Sequence, residues 1–189
     1  MTFENANFTH QCLIAMPLMA DPRFAHTLTY IIKHDEEGAV GIVVNKPMEL
    51  PLTRLLAEIS TPVTAPLRHP QQPVLFGGPV SPQMGFVLHR QRGDWNTTMP
   101  VADGICVTSS RDILDAIAQG EGPDDYIVAL GYAGWSAGQL EQEIAENAWL
   151  TCPADSQLLF DVPLDERWQA GIKRLGIDPS FLSNDAGHA

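Results

Sequence analysis

The residues best placed to do chemistry are Gly134, Ser136 and Gly138, which form a G-x-S-x-G pattern. In α/β hydrolases this pattern holds a nucleophilic serine on a sharp turn between a strand and a helix. An apolar run at residues 126–130 predicts a strand before the pattern, and a helix is predicted from about Ala137. Ser136 is therefore a candidate nucleophile, and a small serine hydrolase is one hypothesis for this chain.

A structural explanation of Ser136 competes with the catalytic one. Ser136 and Gln139 have the spacing of a capping box, in which the serine hydroxyl accepts a bond from a helix N–H and the glutamine reaches back. Trp135 and Leu140 have the matching spacing of a hydrophobic staple. The only histidine after Ser136 is His188, one residue from the end, where chains usually fray. We therefore predict that Ser136 caps a helix and is not catalytic.

Other chemical sites have weaker support in the sequence. Gly131, Gly134 and Gly138 lie between the predicted strand and helix, where phosphate binds in some folds, but their spacing matches no nucleotide-binding motif. Glu141 and Glu143 would repel an anion there, so turn glycines are the better interpretation. The 6 histidines form no metal-binding motif. Neither a metal nor a cofactor is predicted.

The charge balance narrows the classes of partner. The chain has 11 Lys and Arg against 23 Asp and Glu, a formal net charge of −12. Nucleic acids and anionic membranes attract basic surfaces, so direct binding to either is disfavoured. The 3 cysteines have no redox or zinc spacing, and their odd number fits a reducing compartment. With no signal peptide and no membrane-length apolar stretch, the expected location is the cytoplasm.

The order of the patterns predicts one domain that mixes sheet and helix. Two β-branched runs, at residues 26–34 and 39–45, flank a polar turn and predict a β-hairpin. Recurrent prolines between residues 61 and 73 predict an extended surface loop. Helices are predicted at residues 51–59, 109–119, from about 137, and at 163–175. Further strands are predicted at residues 11–16, 74–76, 84–90, 104–108 and 126–130, with His89 as a hydrogen-bonded core or rim histidine.

Several phrases together resemble the bacterial YqgE/AlgH family. They are MPLMADPRFAHTLTYIIKHDEEGAVGIVVNKP (16–47), LFGGPV (75–80), FVLH (86–89), LGYAGWSAGQLEQEI (130–144), NAWL (147–150), RW (167–168) and GHA (187–189). The resemblance implies a single α+β domain, residues 1–189, with a mostly antiparallel bifurcated sheet curled into a barrel-like core and peripheral helices. It implies no established catalytic residue, cofactor or DNA contact, although members are often labelled transcriptional regulators.

The resemblance also bears on the serine. Relatives commonly have glycine at the position of Ser136, and glycine cannot be a nucleophile. The GHA phrase at the end of the chain looks like a family feature, which weakens the argument that His188 frays. The glycine in relatives weakens the hydrolase hypothesis, and the GHA phrase restores a little of its support.

The leading hypothesis is a non-enzymatic regulatory or binding protein that acts through a protein partner or a small ligand. A direct DNA-binding regulator and the Ser136 hydrolase are the alternatives. If there is a binding pocket, we expect it between the GGP turn and the GWSAGQLE segment, where glycines allow close approach and a tryptophan offers a stacking surface. The competing interpretation is a purely structural junction. The candidate residues are Gly77, Gly78, Pro79, Trp135, Gln139, Glu141 and Asn147.

Overall fold

A computed structural model describes residues 6–90 and 93–182 of the chain. Within them lie ten strands: β1 (Gln11–Ala15), β2 (Leu28–Asp35), β3 (Gly38–Val43), β4 (Pro47–Pro51), β5 (Pro73–Phe76), β6 (Val80–Arg90), β7 (Thr98–Ala102), β8 (Ile105–Thr108), β9 (Tyr126–Ser136) and β10 (Trp149–Pro153). The α-helices are α1 (Leu52–Glu58), α2 (Asp112–Ala118), α3 (Gln139–Ala145) and α4 (Arg167–Arg174). A π-helical turn (Gln157–Asp161) and two 3-10 turns (Leu164–Glu166 and Pro179–Phe181) complete the described elements. His188 and the GHA phrase lie outside the described residues.

The strands form one sheet in the order β10-β1-β2-β3-β9-β6-β8-β7. Neighbours on this path are antiparallel, and β4 and β5 branch from it through a parallel pairing of β5 with β9. The predicted hairpin is confirmed, since β2 and β3 pair on either side of a tight turn. The structure thus confirms a mostly antiparallel sheet that forks.

The two faces of the sheet pack against different sets of residues. Along β1, Cys12 and Ile14 point into a large core, while Leu13 and Ala15 point to a second cluster on the opposite face. This alternation is the period of two that a strand buried on both faces requires. The large core receives residues from strands along almost the whole path, from β10 to β8, because the sheet curls around it. The curl confirms the predicted barrel-like core.

Helices cover both faces and keep the sheet buried. The π-helical turn and α4 pack on the inner core through residues such as Leu158 and Ile172, both fully buried. Helices α1 and α2 cover the outer face near β5, β6 and the first half of β9. Helix α3 covers the outer face near β1, β2 and the second half of β9. The arrangement confirms the predicted α+β class with peripheral helices.

The fork in the sheet lies at Gly131, in the middle of β9. Before Gly131, Tyr126 and Val128 point to the outer face of the sheet. After it, Ala133 and Trp135 point to the same face, so the alternation of inward and outward residues shifts by one. Gly131 has a φ of +74°, which is the left-handed conformation of a bulge glycine. The first half of β9 pairs with β5 and the second half with β3, and the bulge lies between the two pairings.

The structure corrects several predicted boundaries. The strand predicted at 126–130 continues to Ser136, so Gly131 and Gly134 lie inside a strand and are not turn glycines before a helix. Strands β4, β7 and β10 were not predicted, and helix α2 begins at Asp112, three residues after Ser109. The extended loop across residues 61–72 is confirmed. None of the helices in the described residues is long and apolar enough to cross a membrane.

The cysteines are brought together in a way that their spacing does not reveal. Cys12 of β1 lies directly opposite Cys152 of β10, and both thiols are free and fully buried. Cys106 is also buried and forms no disulfide, so all three cysteines are small apolar residues of the core. The hydrogen bond with the Cys152 thiol, together with burial, raises the pKa of Cys12.

Candidate functional site

Ser136 is the last residue of β9 and does not cap a helix. It pairs in register with Gly38 of β3, and α3 begins three residues later, at Gln139. Its hydroxyl donates to Gln139 Oε1 at 3.2 Å, and its backbone N–H donates to the same oxygen at 3.0 Å. The glutamine therefore reaches back as predicted, but the serine hydroxyl accepts no helix N–H. The prediction of a serine N-cap is wrong.

The helix begins with a glycine because the chain must turn sharply out of the strand. Gly138 occupies the N-cap position with a φ of +75°, and no side chain caps the helix. Trp135 and Leu140 are both buried in the apolar cluster under α3, so the pair predicted from the staple spacing does pack beside this helix. The junction is therefore fixed by the left-handed glycine and this apolar pair.

Glu143, one turn into α3, organises the surroundings of two tryptophans. Its Oε2 accepts a bond from the indole N–H of Trp135 and another from that of Trp149, each 2.8 Å long. Its Oε1 accepts from Gln139 Nε2 at 2.9 Å. The two indole rings meet edge to face with centroids 6.0 Å apart, and Phe24 meets Trp149 in the same manner at 5.7 Å. The rings therefore have a fixed orientation.

These rings line a surface cleft of about 420 Å³, which we call the aromatic cleft. It lies between the start of β6, the end of β9, helix α3 and the segment after β1. At its rim Arg23 donates to Asp21 through Nε at 3.0 Å and a terminal nitrogen at 2.7 Å. This bonding lowers the pKa of Asp21. The lining residues are Met19, Asp21, Arg23, Phe24, Pro79, Val80, Ala133, Gly134, Trp135, Gln139, Glu143, Ala148 and Trp149.

The cleft joins three of the seven candidate residues. Pro79 of the GGP turn faces Trp135 and Gln139 of the GWSAGQLE segment across it, which is the juxtaposition that the sequence suggested. Glu141 lies elsewhere, with Oε1 2.9 Å from Nε2 of the buried His34. Asn147 is exposed in the turn after α3, with a φ of +60°. Neither of these two residues lines the cleft.

Gly77 and Gly78 are placed at the fork of the sheet. The Gly77 N–H donates to Leu130 of β9, and its carbonyl accepts from Val43 of β3, so three strands converge on this residue. A Cβ on Gly77 would lie 2.3 Å from the Gly131 oxygen, and one on Gly78 would lie 2.1 Å from Tyr132. These glycines are therefore required by the close approach of backbones, as the structural interpretation of the junction expects.

Several cleft residues were missed by sequence reasoning. Glu143 was considered only as a charge that repels anions, yet its distance of four residues from Gln139 places both on one helix face. Trp149 stands in the NAWL phrase, which contributed only to the resemblance. Phe24 and Arg23 belong to a proline-containing segment with no periodic pattern. No local signal indicates that this segment folds against α3.

Local contacts show the environment of His89 and of the remaining candidate groups. His89 is fully buried, and its Nε2 lies 2.8 Å from the hydroxyl of Thr108, so the predicted hydrogen-bonded core histidine is confirmed. Across residues 6–90 and 93–182, no three His, Cys, Asp or Glu side chains cluster as a metal site would need. The Ser136 hydroxyl bonds to Gln139, and no histidine of residues 6–90 and 93–182 forms a hydrogen bond with it. The hydrolase hypothesis therefore gains no support.

Comparison with known proteins identifies the family. A sequence model of the AlgH-like family matches residues 12–180. The chain belongs to the AlgH-like family. Among its AlgH-like relatives, a UPF0301 protein of Thioalkalivibrio sulfidiphilus is 55% identical over 185 residues, covering 98% of each chain. A UPF0301 protein of an Azoarcus species is 52% identical over 189 residues and covers all of both chains.

Solved structures with two different levels of sequence identity share the fold. The solution structure of the AlgH protein from Pseudomonas aeruginosa matches with a TM-score of 0.79 and 44% identity, covering 100% of both chains. A crystal structure of a Corynebacterium diphtheriae protein matches with a TM-score of 0.69 and 20% identity, covering 92% of this chain and 90% of that one. The second match bears on the fold alone. None of these names states an activity, so the function has to be argued from the aromatic cleft.

Proposed function

We propose that this AlgH-like protein is a non-enzymatic regulatory or binding protein that docks a partner protein at the aromatic cleft. The observation that carries the proposal is the pair of tryptophans fixed by one carboxylate at the wall of an open cleft. Tryptophan and arginine are the residue types most enriched among those that dominate binding energy in protein interfaces. Trp135, Trp149 and Arg23 all line this cleft.

The rim of the cleft favours a protein partner over a small ligand. Val80, which lines the cleft, is 38% exposed, and Leu18, next to the lining residue Met19, is 75% exposed. Large apolar side chains exposed beside a cleft are typical of surfaces that another protein covers. The guanidinium of Arg23 is already paired with Asp21, so the cleft offers little net charge to a small ion. We therefore propose that an apolar or aromatic side chain of the partner is the anchor.

The same proposal accounts for the regulator label that attaches to the family. A protein of net charge −12 is better suited to act through another protein than on DNA. The three cysteines are buried and form no disulfide, which fits a reducing compartment, and we propose that the protein acts in the cytoplasm. Both statements are part of the proposal.

A comparison of surface variants tests this function. Val80→Asp and Leu18→Asp change the rim, and Val63→Asp changes a similarly exposed apolar residue, 47% exposed, in the long loop. Each variant and the wild type would be used to capture proteins from a lysate of the native bacterium, with quantification by mass spectrometry. The binding of any purified partner would then be measured by calorimetry.

We expect one partner to be retained by the wild type and Val63→Asp. Its affinity should fall about tenfold or more in Val80→Asp, because the partner would desolvate a carboxylate on the apolar rim that it covers. Binding should also alter the fluorescence of Trp135 and Trp149. Partners that bind all three variants with equal affinity, or binding that Val63→Asp weakens as much as Val80→Asp, would contradict docking at the aromatic cleft.

A further inference from the structure

A second cavity, of about 520 Å³, lies on another part of the molecule and shares no lining residue with the aromatic cleft. We call it the Arg167 cavity. It lies between the end of the long loop, the start of β9 and the segment that leads from the π-helical turn into α4. Its volume is in the range of small-molecule sites. It is lined by Arg68, His69, Pro70, Gln71, Gln72, Pro73, Leu75, Asp125, Tyr126, Ile127, Phe160, Asp161, Val162, Pro163, Leu164 and Arg167.

Arg167 is a buried cation that pairs with no carboxylate of the described residues. The residue is 5% exposed, and its guanidinium donates only to backbone carbonyls, to Val162 through Nε at 2.9 Å and to Val44 through a terminal nitrogen. Burial lowers the pKa of Arg167 to about 10, which still leaves it charged at neutral pH. Burying a charge without a counter-ion raises the free energy of the folded protein. An anion bound beside Arg167 would therefore stabilise this guanidinium.

The other charges around the cavity are already paired. Asp125 and Asp161 both bind Arg90, at 3.1 and 2.8 Å, and Arg68 binds Asp124 at 2.8 Å. Arg167 is thus the lining cation that has no carboxylate partner among the described residues. Two carboxylates in the same wall would repel a doubly charged phosphate. The arrangement favours a ligand with a single negative charge, as in a carboxylate.

Two buried polar atoms on residues of the wall have no hydrogen-bond partner within residues 6–90 and 93–182. They are the hydroxyl of Tyr126, a residue that is 4% exposed, and Oε1 of Gln72. The Gln72 amide nitrogen donates to the Tyr126 carbonyl at 2.7 Å, which fixes Oε1 as a free acceptor. Unsatisfied buried groups are rare in native proteins and indicate a missing partner. An N–H group of a ligand would supply the partner that Gln72 lacks.

We propose that the Arg167 cavity binds a small organic monocarboxylate with an apolar body and an amide N–H. The carboxylate lies against Arg167, the N–H is directed to Gln72, and the body packs on apolar side chains. Those side chains are Leu75, Ile127, Phe160, Val162 and Leu164. The N-acyl amino acids and the carboxyl ends of short apolar peptides have this chemistry.

A pair of probes that differ only in charge tests the proposal. N-acetyl-leucine carries the carboxylate, and N-acetyl-leucinamide is its neutral match. Both would be titrated into the full-length protein labelled with ¹⁵N and followed by NMR. We expect N-acetyl-leucine to bind with a Kd in about the millimolar range or tighter, with shifts at Phe160, Val162 and Leu164, and the amide to bind at least about tenfold more weakly. Equal binding of both probes, no binding, or shifts confined to other surfaces would overturn the proposal.

Variants assign the binding to the named groups. Gln72→Leu removes the acceptor to which the ligand N–H is directed, so it should weaken N-acetyl-leucine binding several-fold. Arg167→Met should abolish binding, Arg167→Lys should retain part of it, and Arg54→Met, on the exposed face of α1, should leave it unchanged. If Arg167→Met does not fold, the comparison of the two probes and Gln72→Leu decides the matter. A folded Arg167→Met that binds N-acetyl-leucine as the wild type does would refute the assignment.

Discussion

At the scale of single residues, Ser136 illustrates why a catalytic pattern needs its chemical partners. A serine hydroxyl becomes nucleophilic only when an adjacent base takes its proton. Here the hydroxyl donates to Gln139 Oε1, an amide oxygen that cannot act as a general base at neutral pH. The residue continues the pairing of β9 with Gly38 instead of standing on a sharp elbow. Its local contacts are those of a strand end that is tied to the following helix.

We predict that the protein does not react with a reagent that labels activated serines. The wild type and Ser136→Gly would be incubated with a fluorescent fluorophosphonate and compared on a denaturing gel and by mass spectrometry. Because no described histidine activates Ser136, both proteins should show the same background. Labelling of the wild type that disappears in Ser136→Gly would revive the hydrolase hypothesis.

Glu143 is the residue on which the aromatic cleft depends most. We predict that Glu143→Gln lowers the free energy of unfolding by about 1–3 kcal/mol, because its amide nitrogen cannot accept from an indole or from Gln139. Glu146→Gln is the matched control, since Glu146 is exposed and accepts one bond from Gln142. Urea denaturation followed by circular dichroism measures both. Equal, small losses would show that the indole bonds contribute little to stability.

At the scale of elements, the fork in the sheet makes strong demands on glycine. Gly78 has a φ of +153°, and a Cβ there would lie 2.1 Å from the backbone of Tyr132. Gly138 also has a positive φ, +75°, but a Cβ there meets nothing within 4 Å. The two positions separate backbone strain from steric exclusion.

We predict that Gly78→Ala destabilises the protein far more than Gly138→Ala. The second substitution should cost about 1 kcal/mol, the ordinary penalty for alanine in a left-handed conformation. The first should cost about 4 kcal/mol or more, or prevent folding, because two backbones must separate. Thermal denaturation of both variants measures the difference. Similar midpoints for the two variants would show that the fork tolerates a wider separation of its strands.

The elements could be predicted where neighbouring residues determine them. The β2–β3 hairpin follows from two apolar runs and a polar turn that ends in Gly38, and α1 follows from a short amphipathic pattern. Strand β9 could not be delimited, because three glycines after Leu130 are typical of a turn, and only the pairing with β3 keeps the chain extended. The sequence alone offered no sign of the pairing of β1 with β10, which places Cys12 opposite Cys152.

The candidate site could be predicted in part for the same reason. Pro79 and Trp135 could be predicted to lie near each other because each belongs to a glycine-containing phrase that stands out locally. The resemblance implied a compact sheet that brings such phrases together. The contributions of Phe24, Trp149 and Arg167 depend on contacts between segments distant in sequence. Residue types and their local spacing carry no information about such long-range contacts.

An ion pair links α4 to the segment after β10 and gives stability a pH dependence. Arg174 donates to Asp155 from two nitrogens, and this bond lowers the pKa of Asp155. Because the folded-state pKa lies below the unfolded value of about 4, the stabilisation is present above that value and is lost as the pH falls through the folded pKa. Both side chains are partly exposed, so the pair contributes about 0.5–1 kcal/mol.

We therefore predict that Asp155→Asn loses about 0.5–1 kcal/mol of unfolding free energy at pH 7 and progressively less below about pH 4. Urea denaturation of the wild type and the variant at pH 7, 5, 4 and about 3 measures the difference. Asp165→Asn, in the exposed 3-10 turn before α4, serves as the control and should show no such convergence. A difference between Asp155→Asn and the wild type that is the same at every pH would contradict the ionic origin.

At the scale of the whole molecule, the net charge of −12 decides how the protein meets a polyanion. A DNA-binding protein needs basic side chains that are free to neutralise phosphates. Arg90 already pairs with two aspartates, and Arg174 pairs with Asp155, so these two guanidinium groups are not free to neutralise phosphates. The remaining field is negative and repels DNA at a distance.

We predict that the protein does not bind duplex DNA even when salt is low. Fluorescence anisotropy of a labelled duplex of about 30 base pairs would be recorded at about 20 mM salt, where electrostatic binding is strongest. No rise is expected up to protein concentrations of about 10⁻⁴ M, the weak limit of ordinary non-specific binding. Binding that appears at low salt and falls steeply as salt is raised would reveal a basic surface and make direct DNA regulation the better hypothesis. Without such binding, the routes that we propose are a protein at the aromatic cleft and a ligand at the Arg167 cavity, and the two sets of variants separate these routes.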